Sequence, residues 1–598
     1  MRRRFLTGAA AAAAGGLAAS HLAKAQGDAP RTPATPRVPP ADLILKNGKI
    51  VTVDPAFTIA QAIAIAAERI IAVGPDEAMA AHTGAATRVV DLKGKTVVPG
   101  LTDGHAHMDR EALRNVFPSL GHVRSIGDIK DRIAELARGK RPGEWIVTMP
   151  IGDPPYYFGL PENLAEKRWP TRADLDAAAP DNPVYIRSIW GYWRGVMPLV
   201  SCANTAALKR TGITRDTVAP VPTVTIEKDT NGDLTGVIVE QEMQPIAELI
   251  WFRQATQFTH ADRLRALPES ARAYHGYGTT SVFEGHGAAT ELIRVYKEAL
   301  QEGTLTMRTT LTFSPDWRAA GNAPLGSFVD AWAGWLGEPG LGNDRLKMSG
   351  LHCGIGREAA DNLRASVAPY TGWAGFNYAD GLPREQLKEV LLRCAVNGIR
   401  VVMNRAPEIL DLYDEVDQVV PLQGKRWTIA HIGNFSKRDI ERVVRMGLAL
   451  TTHTNNNLYK ALHLEAQRLP PERHGEIAPL HSLLDAGVKV SLATDNVPVS
   501  LFLPVWQTIA RTSIVTGQRV APEQALTRAE ALRCATANGA YLTFDEDKKG
   551  TLEAGKLADL AVLSADPLTV AEPEIAKITS QMTMVGGKIV HETPNWSG

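Results

Sequence analysis

The polar and apolar positions of this chain change rhythm twice. From Asp42 to Gly100, short runs such as "DLILKNGKIVTVD", "QAIAIAAERIIAVG" and "RVVDLKGKTVVPG" carry a two-residue period. That period marks strands, and Asn47-Gly48 and Lys93-Gly94 supply turns between them. The same texture returns in "GTLEAGKLADLAVLSADP" and "ITSQMTMVGGKIVHE". Two strand-rich stretches at opposite ends can share a sheet, so residues 41–98 plus 546–598 are expected to form one composite β-sandwich domain.

Residues 99–545 alternate strand-like and helix-like runs. "REQLKEVLLRCAVN" leads into "GIRVVMN", and "RWTIAH" precedes "SKRDIERVVRMG"; "LALTTHT" and "VKVSLATD" follow. Such alternation predicts a parallel sheet, and eight units close a barrel whose chemistry sits at the strand C-termini. The expected fold class is therefore α/β, a (β/α)8 TIM barrel inserted in the composite β-sandwich. Residues from about 110 to 270 break the rhythm and carry Trp145, Trp169, Trp190, Trp193 and Trp251. They read as a large insertion over the barrel mouth.

The first 40 residues belong to neither pattern. Arg2, Arg3, Arg4, Phe5 and Leu6 precede the weakly apolar "TGAAAAAAGGLAAS" and then Ala23-Lys24-Ala25. This is the layout of a signal peptide over 1–25, resembling the twin-arginine type, with cleavage after Ala25. Residues 26–40, "QGDAPRTPATPRVPP", form a Pro-rich linker. The expectation is an exported, periplasmic protein that engages the twin-arginine export machinery and has no membrane span once cleaved. Lys+Arg and Asp+Glu are both 65, and no basic run interleaves with aromatics, so a nucleic-acid partner is not expected. Cys202, Cys353, Cys394 and Cys534 are too scattered for a disulfide framework and read as buried thiols. Oligomeric state leaves no mark.

The strongest chemical signal is "VVPGLTDGHAHMD", residues 97–109. His105 and His107 follow a strand and a Pro-Gly turn, so alternation turns both imidazoles to one side, where they can ligate one divalent metal. No phosphate loop or dinucleotide fingerprint follows a strand, and no carboxylate pair apart from the metal set suggests sugar hydrolysis.

With this motif the chain resembles the amidohydrolase superfamily, in its amidohydrolase-3 branch of N-substituted formamide deformylase-like proteins. The likeness continues through "DAAAPDNPVYIRS" from Asp176, "CANTAALKRTGI" from Cys202, "GYGTTSVFEG" from Gly276, "RWTIAHIG" up to Gly433 and "VSLATDNVPV" up to Val499. It ends with "LTRAEALRCATANGAYL" from Leu526 and "KGTLEAGKLADLAVL". The resemblance implies one or two divalent metal ions, with zinc first among them, and a metal-activated hydroxide. It makes Asp495, after the eighth strand, a ligand and proton shuttle. It makes His431, after the sixth, a ligand or carbonyl polariser. Lys347, at the fourth strand, would bridge two metals if carbamylated, and Glu284, set at the third, is the competing carboxylate.

Three departures accompany the likeness. Asn404 stands where the branch usually has a fifth-strand histidine; "SGLHCGIG" places His352 and Cys353 after the fourth strand; and His453 ends the seventh. His352, Cys353 and His453 are candidate replacement ligands; Asn404, His352 and His453 are candidates for substrate contact, and Trp190 and Trp193 for an aromatic wall. The reading is an exported metal-dependent hydrolase that acts on a C–N bond (amide, formamide, carbamate or lactam) of a small molecule. The alternatives are a mononuclear deaminase of the same superfamily, or an exported, non-catalytic binding protein with a degenerate metal site.

Overall fold

A computed structural model describes residues 40–598 except 156, 158, 191, 192, 194–196, 357, 405, 406, 595, 597 and 598. The signal-like segment 1–25 and all but the last linker residue lie outside the described residues. Eight parallel strands, paired in chain order, make the barrel: β1 (Leu101–Asp103), β2 (Thr279–Ala288), β3 (Arg308–Phe313), β4 (Leu346–His352), β5 (Val401–Asn404), β6 (Thr428–Ala430), β7 (Ala449–Thr451) and β8 (Val490–Ser491). Helices such as Thr290–Gln301, Leu325–Leu336, Arg384–Val396 and Lys437–Met446 return the chain between strands. The last shows how local chemistry sets such an element. Ser436 and Asp439 form a capping box, Val443 and Met446 face the core, and Gly447 ends the helix at φ 64°.

The ring closes between β8 and β1. Gly104 N–H donates to Leu492 O and Asp495 N–H to His105 O, both at 2.9 Å. The buried Asp103 carboxylate accepts from the Thr494 backbone at 3.1 Å and from its hydroxyl. Strand ends approach so closely that a Cβ on Gly104 would lie 2.6 Å from Ser491 Oγ, which is why a residue without a side chain sits there.

Strands from the first and last parts of the described chain meet below the barrel. A six-stranded sheet runs in the order Lys588–Glu592, Ser580–Val585, Leu560–Leu563, Thr96–Pro99, Lys49–Val51 and Ile59–Ala60. A four-stranded sheet runs Arg69–Gly74, Ala62–Ala66, Leu43–Lys46, Arg88–Asp91. Leu45, Ile63 and Val90 of the smaller sheet share one buried cluster with Val97, Leu560 and Met582 of the larger, so the two form a sandwich. Arg308 at the foot of β3 locks this domain to the barrel. Its Nε and Nη2 donate to the Asp559 carboxylate at 2.6 and 3.0 Å, with both residues buried. Asp559→Ala strands that guanidinium, and is expected to cost about 3–5 kcal/mol, read as a lowered denaturation midpoint. A loss below about 1 kcal/mol, the range of a solvated pair, would remove this role.

Between β1 and β2 lies a five-stranded sheet in the order Val224–Lys228, Leu234–Glu240, Leu199–Ala203, Val184–Ile186, Ile146–Thr148. Among the described residues no helix is long and apolar enough to cross a membrane.

Candidate metal centre

At the C-terminal rim the strand ends bring His105, His107, His431, His453 and Asp495 together. The rings of His105 and His107 lie 4.9 Å apart and nearly perpendicular, and His431 stands 4.4 Å from His105. Asp495 is the centre of the group. Its Oδ1 lies 3.2 Å from His107 Nε2, 3.9 Å from His105 Nε2 and 4.0 Å from His431 Nε2, and its Oδ2 lies 3.3 Å from His453 Nε2. His107, His431 and Asp495 adopt φ values of 53°, 54° and 54°. Left-handed backbone at non-glycine residues costs about 1–3 kcal/mol each and persists where the surrounding structure imposes it. At Asp495 the closure bond to His105 O holds it in place.

The charge states suit a cation. Burial, then the neighbouring His431 and His107, push the His105 imidazole well below its ordinary range. Burial and Arg110 push His107 to about 4. Both rings are therefore neutral at neutral pH, the form that ligates metal. Burial alone would raise Asp495, but His453, His107 and His431 hold its carboxyl well below the usual range and keep it ionised. Both ring nitrogens of His105 are buried without a hydrogen-bond partner. A buried polar group in that state calls for a partner. His105, His431 and Asp495 each offer a ligand atom, all within 4.8 Å of one another, and His105, His107 and His286 make a second such trio. Nitrogen and oxygen donors in this arrangement fit a divalent transition metal.

His286 is the residue that sequence reasoning missed. Two positions after Glu284 on β2, it emerges on the same side of the strand, a signal present in the alternation of "SVFEGHG". Asn404 explains its orientation, since the amide of Asn404 meets His286 Nδ1 at 3.0 Å. The fifth-strand asparagine thus steers an imidazole supplied by β2.

Glu284 lies on the second strand, not the third, and acts through His107. Its Oε1 accepts from Met108 N–H at 2.8 Å and Tyr296 O–H at 2.9 Å, which leaves Oε2 facing His107 Nδ1 at 3.8 Å. Burial and then the charge of Asp109 push its carboxyl up to about 8. A carboxyl group behind an imidazole helps fix the ring, so Glu284→Gln is expected to weaken metal retention about 10- to 100-fold in chelator competition. Unchanged retention would reduce Glu284 to a packing residue.

Other expected site residues lie elsewhere. Lys347 sits one residue into β4, at the opposite end of the barrel, where its Nζ lies 2.8 Å from Asp545 and also donates to Thr543 O. It is not brought to the metal group, so the bridging role is withdrawn. Cys353 is buried in the main apolar core and joins none of the groups that could hold metal among the described residues. His352 turns its Nδ1 to Asp380 Oδ2 at 2.6 Å and stacks on His286 with rings 4.4 Å apart and 23° from parallel. Trp190 lines the mouth pocket with Arg110, Met243, Phe376, Asn404, Asn456 and Asn457, beside the metal group. Trp193 instead packs on Trp373 and Tyr157, and Trp145 on Phe252. The wall is one indole and Phe376, which stacks on His286 at 3.9 Å.

A profile of the amidohydrolase family matches residues 88–591, spanning the whole barrel and the C-terminal strands of the sandwich. The chain belongs to the amidohydrolase family. It is 26% identical over 586 residues to N-substituted formamide deformylase of Arthrobacter pascens, with 92% of this chain and 98% of the relative covered. It is 24% identical over 574 residues to protein LONG AFTER FAR-RED 3 of Arabidopsis thaliana, covering 92% and 91%. An uncharacterized metal-dependent hydrolase from Pyrococcus furiosus shares the fold at a TM-score of 0.62 and 20% identity, with 88% of this chain and all of that one covered. The chain is thus an amidohydrolase that shares its fold with this protein over most of its length.

Proposed function

We propose that this amidohydrolase is exported and cleaves a C–N bond of a small amide, formamide, carbamate or lactam, using one zinc ion held by His105, His107, His431 and Asp495 with His286 beside them. The observation that carries the reading is Asp495, an ionised carboxylate enclosed by imidazoles and lining the mouth pocket. Two features support one ion rather than two. The lysine that would bridge a pair lies at the far end of β4, and His352 is already engaged by Asp380 through Nδ1.

A bound divalent ion supplies Lewis acidity and lowers the pKa of water. Asp495 takes a proton from the attacking water and returns it to the leaving nitrogen, a transfer its ionised state permits. His453, against Oδ2, keeps that carboxylate turned to the pocket. Asn404, Asn456 and Asn457 offer amide hydrogen bonds to the substrate, and Trp190 and Phe376 limit water entry. Formamides are the first class to try, because the Arthrobacter relative bears that name over nearly its whole length.

The test is elemental analysis of protein recovered from the periplasmic fraction, with ammonia- or amine-release assays on N-substituted formamides and simple amides. We expect about one zinc per chain, a mature N-terminus near Gln26 and release of an amine. No bound metal after zinc loading, or metal without turnover of any C–N substrate class, would overturn the reading.

A further inference from the structure

Arg110 is a buried cation whose neighbouring acid, Asp109, feels its charge but makes its ion pair with Arg263. It begins the short helix Arg110–Leu113 just past the His105/His107 motif and is 8% exposed. Its Nε and Nη2 both donate to Ala374 O, at 3.0 and 2.7 Å. Among the described residues no carboxylate lies within ion-pair distance of it. Asp109 beside it faces Arg263 at 3.6 Å instead, and Glu284 faces His107. The guanidinium sits against two rings, 5.5 Å from the centroid of Trp190 and 5.3 Å from that of Phe376, and lines the mouth pocket. A guanidinium has five N–H donors, so one carbonyl leaves the Nη1 edge unspent.

Burying a charge is costly unless an opposite charge meets it. The pocket's own carboxylate, Asp495, is already enclosed by histidines, so the missing partner belongs to what enters the pocket. We infer that the substrate carries a carboxylate, seated on the free edge of Arg110, beside an apolar group lying against Trp190, Phe376 and Met243. A guanidinium fork matches a carboxylate in shape as well as charge. A single lining cation, with neutral Asn456 and Asn457 across the pocket, suits a monoanion better than a phosphate dianion. Phe376 touches both sides, 5.3 Å from the Arg110 guanidinium and with its ring 6.2 Å from that of His107. An N-formyl or N-acyl amino acid is the simplest molecule that carries both a carboxylate and a scissile amide. The inference rests on the C–N reading above.

The experiment compares the zinc-loaded protein on N-formylphenylalanine and on N-formylphenethylamine, which differs by lacking the carboxylate. We expect kcat/KM to favour the acid by about 10- to 100-fold, the range of a charge-assisted hydrogen bond. Arg110→Met should bring the ratio close to one, and Arg110→Lys, which keeps charge but loses the planar fork, should leave an intermediate ratio. A separate readout avoids turnover: calorimetric titration with 3-phenylpropionate, which has no bond to cleave, and with inorganic phosphate. Binding of 3-phenylpropionate that weakens at least about tenfold in Arg110→Met, with phosphate ignored, supports the seat. If both amides are hydrolysed with a ratio near one in the wild type, the carboxylate proposal falls and the C–N reading stands. If neither is hydrolysed but 3-phenylpropionate binds through Arg110, the seat stands and the C–N reading falls. Phosphate binding in preference to the carboxylate overturns the proposal. Should Arg110→Met fail to fold, an Arg110→Lys ratio equal to wild type does the same.

Discussion

Asp495→Asn is expected to lower kcat by about 10²- to 10⁴-fold while the protein remains folded and keeps most of its metal. The amide has nearly the shape of the carboxylate, so the closure bond from residue 495 N–H to His105 O and the left-handed backbone there are retained. His105, His107 and His431 remain as ligands. What disappears is an acceptor for a proton, and no other carboxylate lines the pocket among the described residues. The check is kcat measured beside zinc content and circular dichroism for the same preparation. Turnover within about threefold of wild type would mean that another base acts, well outside the range for a lost general base.

The second large effect is on the ion itself. His105→Ala combined with His107→Ala removes two imidazoles that burial holds neutral, and with them one or two members of two of the three described groups that could hold metal. Zinc per chain should fall from about one to near zero after dialysis, and activity with it. Because Asp495 would then face a void where His105 and His107 stood, a modest loss of stability is expected too. The diagnostic contrast is with Asp495→Asn, which should lose rate before metal. A double variant that still holds about one zinc per chain would place the ion elsewhere, and the His286–His352–Asp380 group would be the next to test.

What could be read from the sequence follows from geometry. A strand that ends in histidine or aspartate points that side chain at the barrel mouth whatever the rest of the fold does, so His105, His107, His431 and Asp495 were legible one strand at a time. Depth along a strand was not. Lys347 and His352 share β4, and five residues at about 3.3 Å each put about 16 Å between them, so an error in where the strand begins moves a residue from rim to foot. The order of strands was also hidden, because the insertion between β1 and β2 made β2 look like the third. Partnerships across long separations were the least visible. Asn404 looked like a lost ligand, yet its role depends on His286, 118 residues away, and Asp380 reaches His352 from a segment with no strand or helix pattern to mark it. Alternation around Glu284 did contain His286; attention to the carboxylate obscured it.

The six-stranded sheet has a consequence for the order in which the protein is made. Thr96–Pro99 sits between Lys49–Val51 and Leu560–Leu563, so a strand synthesised early waits for a neighbour synthesised after the whole barrel. Until residues 560–585 emerge from the ribosome, that strand presents an open edge and the buried faces of Val97, Ile50 and Leu45 lack their covering from Leu560 and Met582. Open edges of this kind invite pairing with other chains. A chain cut short anywhere before Leu560 would therefore be marked by its own unfinished sheet as incomplete, available to chaperone or protease, even with every residue of the rim already in place.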